Sequence, residues 1–454
     1  MNTLSIVSIC RACAGIVLAL LALPGVYAQS TCTSGKATAD LNTNNVRARL
    51  YNDGALFWHG QGAVYNVPKA PDGAPTQPNA IFVANLWTGG KVNGELRQAA
   101  ATYNNWEFIP GPLNAQGQPP ADCVPYDRIA RLSQADVEAF GRGEINAAVR
   151  TWPWQWGAPV VDGDGVAGNY NIEGGDRPEM LGTETHWWVM NAMGPHLRTG
   201  SKPFPLEVQV TAFAAASVFP VLNEATFYRY RFVWRGETPL TDFYAGLFAD
   251  MDLGNAADDF VGADSARTLV YAYNADNVDE GSDGYGPNPP AVGVMLLPGI
   301  PGAPRLEARS ARLHLKSGPR GDPRGNTADY YNMLQGLFSD GSPVYRCGDA
   351  SSPQYAVCGT TRFTFTGDPA VGTGWTMRTP LPITTPLQPA DHRMFISAGP
   401  ATLAPGGSYE IVFALPWARG SDNLNAVTKL RAAADALREA VSYTHLTLPT
   451  KRIV

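Results

Sequence analysis

Apolar and polar residues alternate along Glu207 to Phe213 and again along Thr226 to Trp234. A period of two places successive side chains on opposite faces of a strand, one buried and one solvated. Phe243 to Ala249, Thr268 to Tyr273, Arg362 to Phe365 and Ser408 to Ala414 extend the set. Ile81 to Trp87 is a largely apolar run that reads as a buried strand ended by Gly89 and Gly90, and Asn52-Asp53-Gly54 is a hairpin-type turn signal. Helical periodicity is rarer. Ser133 to Phe140 has a capping box, with Asp136 in place of the usual Glu, inside the main helical stretch Tyr126 to Thr151. Arg320 to Asp340 reads as loop or short helix. Leu424 to Ala440 reads as an Ala-rich helix with Leu430, Ala434 and Leu437 on one face. The expected fold is mainly β: antiparallel β-sandwich sheets with long Gly/Pro-rich loops and a few short helices.

The two ends carry no fold signal. Arg11 precedes an apolar run, Ala14 to Leu23, which Pro24 and Gly25 break; cleavage after Ala28 makes residues 1–28 a signal peptide. The run is shorter than the roughly 20 residues that span a bilayer, so no transmembrane anchor is expected. Val441-Ser-Tyr-Thr-His-Leu-Thr-Leu-Pro-Thr450 reads as a translated sequencing adapter, and residues 441–454 are set aside as an artefactual tail. Between them the expected divisions are an N-terminal β segment (29–125), a helix and Trp/Gly-rich insertion (126–200), and the main β-sandwich region with its C-terminal helix (201–440).

Composition sharpens this picture. With 47 Gly and 37 Pro among 454 residues, 44% hydrophobic and 16% charged, the chain suits a turn-rich globular β protein rather than a disordered one. A net charge of −6 argues against a nucleic-acid partner, which needs a basic face. Four cysteines follow residue 28. An even number in an exported chain points to two disulfides, with Cys347–Cys358 and Cys32–Cys123 preferred among three possible pairings.

The densest chemistry is acidic. Asp250, Asp252, Asp258, Asp259 and Asp264 crowd into one loop with Gly254 and Gly262. Like charges packed together repel, and calcium, which takes six to eight oxygen ligands, relieves that repulsion. The competing reading is that these residues cap turns through their own backbone. A second, weaker loop holds Asp162, Asp164 and Glu173 at EF-hand positions one, three and twelve. Ala167 replaces the required glycine there, so a calcium loop and a simple turn remain equally open. Trp152, Trp154 and Trp156 suit either sugar stacking or core packing. No catalytic motif of the metallopeptidase, serine-hydrolase or nucleotide-binding type occurs, and His59, His186, His196, His314 and His392 are scattered.

Several blocks fall in one order: Asn45-Val-Arg-Ala48, Leu86-Trp-Thr-Gly-Gly90, Phe108-Ile-Pro-Gly-Pro112, Gly175-Asp-Arg-Pro178, Asp250-Met-Asp-Leu-Gly254, Pro289-Pro-Ala-Val-Gly293 and His392-Arg-Met-Phe-Ile-Ser-Ala-Gly-Pro400. Over Asn45 to Ala440 the chain resembles a family of large uncharacterised secreted proteins of bacteria with type IX secretion. The resemblance implies a secreted, extracellular or cell-surface location and a C-terminal sorting domain that this chain lacks. Met251 stands where relatives carry Pro, and Ala263 where relatives often carry Cys.

The expected function is a calcium-stabilised β scaffold, adhesive or glycan-binding, with an extracellular glycan or envelope component as partner. The rival is an extracellular polysaccharide hydrolase using paired carboxylates, which needs an open cleft and two carboxyl groups about 5 to 9.5 Å apart.

Overall fold

The computed structural model of the chain describes residues 32–70, 78–298 and 306–443. The signal-peptide reading and all but the first three residues of the adapter-like tail lie outside them. Two nine-stranded antiparallel sheets dominate. The first runs Thr38–Leu41, Arg47–Tyr51, Ala55–Leu56, Val83–Val92, Leu240–Asp250, Arg393–Leu403, Ala308–His314. The second runs Asp259–Asp264, Leu269–Asn274, Pro290–Leu297, Ser408–Arg419, Ala225–Trp234, Leu206–Ala214, Glu184–Asn191, Ile109–Pro110.

The sheets share one core. Phe243 of the first meets Phe232 of the second at 5.3 Å between ring centres, and Phe57 lies 6.0 Å from Tyr228. Tyr65 carries a hydroxyl into this core and donates it to the Leu415 carbonyl at 2.9 Å, which meets the demand of a buried polar group for a partner. This is the β-sandwich the alternation called for. Segments 29–125 and 201–440 are interwoven in it, because Val83–Val92 pairs along its length with Leu240–Asp250.

Several local readings need correction. The strand at Val83–Val92 does not stop at Gly89 and Gly90 but runs through them. A side chain at Gly90 would meet Leu240 at 2.9 Å, so glycine there serves close strand approach instead of a turn. Arg362 to Phe365 contributes only an isolated bridge between Phe363 and Ala311. Leu206–Ala214 is buried on both faces, not one. Its outer face is covered by the 126–200 insertion, where Trp152, Val149 and Leu132 pack with Trp187 and Val189 of the neighbouring strand.

The stretch Tyr126 to Thr151 is less helical than expected, with a strand at Ala130–Ser133 followed by two short helices, Gln134–Gly141 and Ala147–Arg150. Ser133 caps Gln134–Gly141, and Asp136 returns the bond to the Ser133 backbone at 2.8 Å. Helix Thr327–Leu334 covers the outer face of the first sheet, setting Tyr330 against Trp87 at 4.9 Å. Helix Asn423–Tyr443 buries Ala426, Val427, Leu430, Ala434 and Leu437 completely and packs on Ser408–Arg419 and Pro290–Leu297. Among the described residues no helix is long and apolar enough to cross a membrane. Disulfides join Cys32 to Cys123 and Cys347 to Cys358, a pattern suited to an oxidising compartment.

Candidate metal centre

The central strand Leu240–Asp250 ends at a carboxylate, and antiparallel register sets that residue opposite Arg393. The chain then leaves the first sheet and enters the second at Asp259. Asp252 sits in this crossing, its backbone at φ +30, a region that Asp tolerates better than most residues. Asp391 lies two residues ahead of strand Arg393–Leu403, so the same register that pairs Asp250 with Arg393 brings Asp391 alongside. One oxygen each from Asp250, Asp252 and Asp391 lies within 4.8 Å of the others.

The two oxygens of each anchored carboxylate are used differently. Asp250 Oδ2 accepts the Tyr103 hydroxyl at 2.6 Å, with Arg393 Nε 3.5 Å away, and Arg393 also donates to that hydroxyl. Asp391 Oδ2 pairs with Lys316. The Oδ1 atoms of Asp250, Asp252 and Asp391 are buried and meet no hydrogen-bond donor. At an effective dielectric near 20, each such pair of charges costs roughly 3–4 kcal/mol at this spacing. Burial, followed by the charges of Asp250 and Asp391, pushes the Asp252 carboxyl up to about 7. Burial also raises Asp250, against the pull of Arg393. Three carboxylates that each bring one oxygen within 4.8 Å of the others, with Asp250 held from outside by Tyr103 and Asp391 by Lys316, form a candidate divalent-cation site, since outer hydrogen bonds orient ligands.

The five loop aspartates separate into four environments. Asp250 and Asp252 join the cluster. Asp259 is buried directly behind it, accepts the Leu253 amide at 3.0 Å and is held far above the ordinary carboxylate range by burial. Asp258 is half-buried in the short turn Ala256–Asp258, near Glu280, with both oxygens unpaired. Asp264 stands at the opposite end of strand Asp259–Asp264, roughly 16 Å along at 3.3 Å per residue. There it binds Arg267 at 2.7 Å and faces Arg431 at 3.5 Å, so it belongs to an arginine pair and not to the cluster. Asp391 was not among the sequence candidates. It is distant in the chain, and its only signal was its position before the His392-Arg-Met-Phe strand.

The second loop behaves differently. Asp162 and Asp164 cluster with the buried Asp176, not with Glu173, which is exposed in the turn Ile172–Gly174. Here the oxygens are occupied. Asp176 accepts amides of Gly163 at 2.8 Å and Asn171 at 2.7 Å. Asp164 accepts Val166 N at 2.8 Å and the Asn171 side chain at 2.9 Å, which holds it below its usual value. Asp162 accepts Gly165 N at 2.6 Å. These aspartates act as turn caps.

Trp152 is buried and donates to the Pro159 carbonyl at 3.0 Å, while Trp154 and Trp156 remain part-exposed on the turn Trp154–Trp156. His186 is buried in the core with Nε2 2.9 Å from Glu184, which also binds Arg131 at 2.7 Å, while its Nδ1 meets no hydrogen-bond partner.

Neither a family model nor a curated protein matches the chain. The reading of function therefore rests on the geometry.

Proposed function

We propose that this is a secreted or cell-surface β scaffold whose sheet-crossing loop is pinned by calcium at Asp250, Asp252 and Asp391. The observation that carries the reading is the meeting of Asp250, Asp252 and Asp391, one oxygen of each within 4.8 Å of the others, while each also keeps a buried Oδ1 with no N–H or O–H donor. The turn-capping alternative accounts for the second acidic loop and for Asp259 and Asp264, which accept the Leu253 and Arg267 amides, but it supplies no donor to the Oδ1 atoms of Asp250, Asp252 and Asp391. Calcium suits an all-oxygen site, and water and backbone carbonyls would complete its six to eight ligands. Magnesium, which demands strict octahedral geometry, suits a loop less well. Bound to the folded state alone, the ion ties strand Leu240–Asp250 to strand Arg393–Leu403 and fixes the entry into the second sheet. Two disulfides and the resemblance to type IX-secreted proteins support export. The test is thermal unfolding with calcium and with chelator. A calcium-dependent rise in Tm that Asp391→Asn abolishes supports the reading, and identical melting in both conditions contradicts it.

A further inference from the structure

The outer face of the second sheet carries a feature that a stabilising ion does not explain. Glu207 and Gln209 alternate along Leu206–Ala214 with the core residues Leu206, Val208 and Val210, so their side chains share the face turned away from the core. The turn Trp154–Trp156 lies over this face. It can approach because residue 157 is glycine: with φ +98, a side chain there would sit 2.3 Å from Gln209 Nε2. Between turn and strand is a cavity of about 460 Å³, lined by Trp154, Trp156, Glu207, Gln209, Arg235 and Asn169 among others. That volume falls in the roughly 300–1,000 Å³ range of small-molecule sites.

The lining is chemically specific. Fully buried Glu207 is locked in place: its Oε2 accepts the Leu113 amide at 2.8 Å and its Oε1 accepts Gln209 Nε2 at 2.8 Å. It also pairs with Arg235 at 3.2 Å, so the guanidinium charge is balanced. Arg235 Nε is nevertheless buried without a partner. Asn169 comes from the Asp162–Asp176 loop and is held by Asp164 Oδ2 at 3.1 Å, which gives that self-capped loop a role at the cavity rim. Arg128 stands over the Trp156 ring at 4.8 Å and fixes the indole.

The geometry points to a binding site for a neutral saccharide in this cavity, with Trp154 and Trp156 as apolar walls and Gln209, Arg235 and Asn169 as hydroxyl partners. Indole faces take the C–H faces of a pyranose, and planar polar side chains take its hydroxyls. Within the lining the Glu207–Arg235 pair is charge-balanced, with Arg128 and Arg231 standing behind Trp156 and Gln209, and the polar floor disfavours a purely apolar ligand. The inference is independent of the cation reading, since it uses none of the residues of that centre.

The purified, oxidised protein is applied to an array of neutral and uronic-acid oligosaccharides, and each hit is titrated by calorimetry. The expected result is a neutral glycan bound at one site per chain. Its affinity falls at least about tenfold in Trp154→Ala and in Gln209→Leu. Trp156→Phe retains part of it, and all three variants melt near the parent temperature. Absence of any hit overturns the inference. So do binding of uronic-acid glycans alone and binding that the folded variants leave unchanged.

Discussion

Replacing Asp252 by Asn removes one carboxylate from the crowded centre and leaves its shape nearly intact. Without a cation, the parent protein must either keep a proton on Asp252 or tolerate the repulsion. Its carboxyl is raised from 3.8 to about 7 on folding. A raised value means that the folded state binds more protons than the unfolded state between those limits. Stability is therefore full below about pH 4 and falls as pH rises through about 7. At about 1.4 kcal/mol per tenfold change in proton affinity, the loss has a ceiling of roughly 4 kcal/mol. For roughly 400 folded residues, unfolding entropy of about 2.1 cal/mol/K per residue converts this to ~5 °C. In chelator at pH 8, Asp252→Asn should thus melt as much as ~5 °C above the parent, while at pH 4 the two should coincide. Glu107, raised to about 7, and Asp279, raised to about 6, give slopes of the same sign, which cancel in the comparison between variant and parent. Calcium at about a hundred times its dissociation constant adds ~2.7 kcal/mol, or ~3 °C, to the parent alone. Differential scanning calorimetry across pH, with and without calcium, reads the full pattern. A variant that is less stable than the parent in chelator at pH 8, or equally responsive to calcium, refutes the reasoning.

Further outcomes follow from the same contacts. Tyr103→Phe removes the hydroxyl that fixes Asp250 and should weaken calcium binding about 10- to 100-fold by calorimetry, and it should cost the apo-protein about 1–3 kcal/mol by leaving a buried carboxylate oxygen without its donor. Asp162→Asn should leave calcium stoichiometry unchanged in equilibrium dialysis, because its oxygen serves a turn. Replacing Cys32 and Cys123 by Ser should cost about 2 kcal/mol more than replacing Cys347 and Cys358, as denaturant titration would show, because the first pair closes 91 residues and the second 11. Leu430→Ala should cost roughly 2–5 kcal/mol by the same titration, since its side chain is wholly buried beneath the C-terminal helix.

The sheets were legible wherever one period dominated. Thr226 to Trp234 became Ala225–Trp234, one residue longer at its start, although only Arg229 and Arg231 on its outer face reach solvent. Gly89 and Gly90 misled because glycine serves both turns and close strand packing, and only the neighbouring Leu240 distinguishes the two uses. The solvated face expected for Glu207 to Phe213 is covered by a separate insertion, which no local period can announce. The acidic centre was half legible. Asp250 and Asp252 lie in one short segment, but Asp391 arrives through strand register, a long-range property. Asp264 was drawn in by proximity in sequence, although a straight strand carries it away from its neighbours at each step.

The account stands on the free oxygens of Asp250, Asp252 and Asp391, and a crystal structure grown with calcium addresses them directly. The prediction is one anomalous peak about 2.3–2.6 Å from one oxygen of each of the three carboxylates. A map at saturating calcium with no peak among the three carboxylates would contradict it.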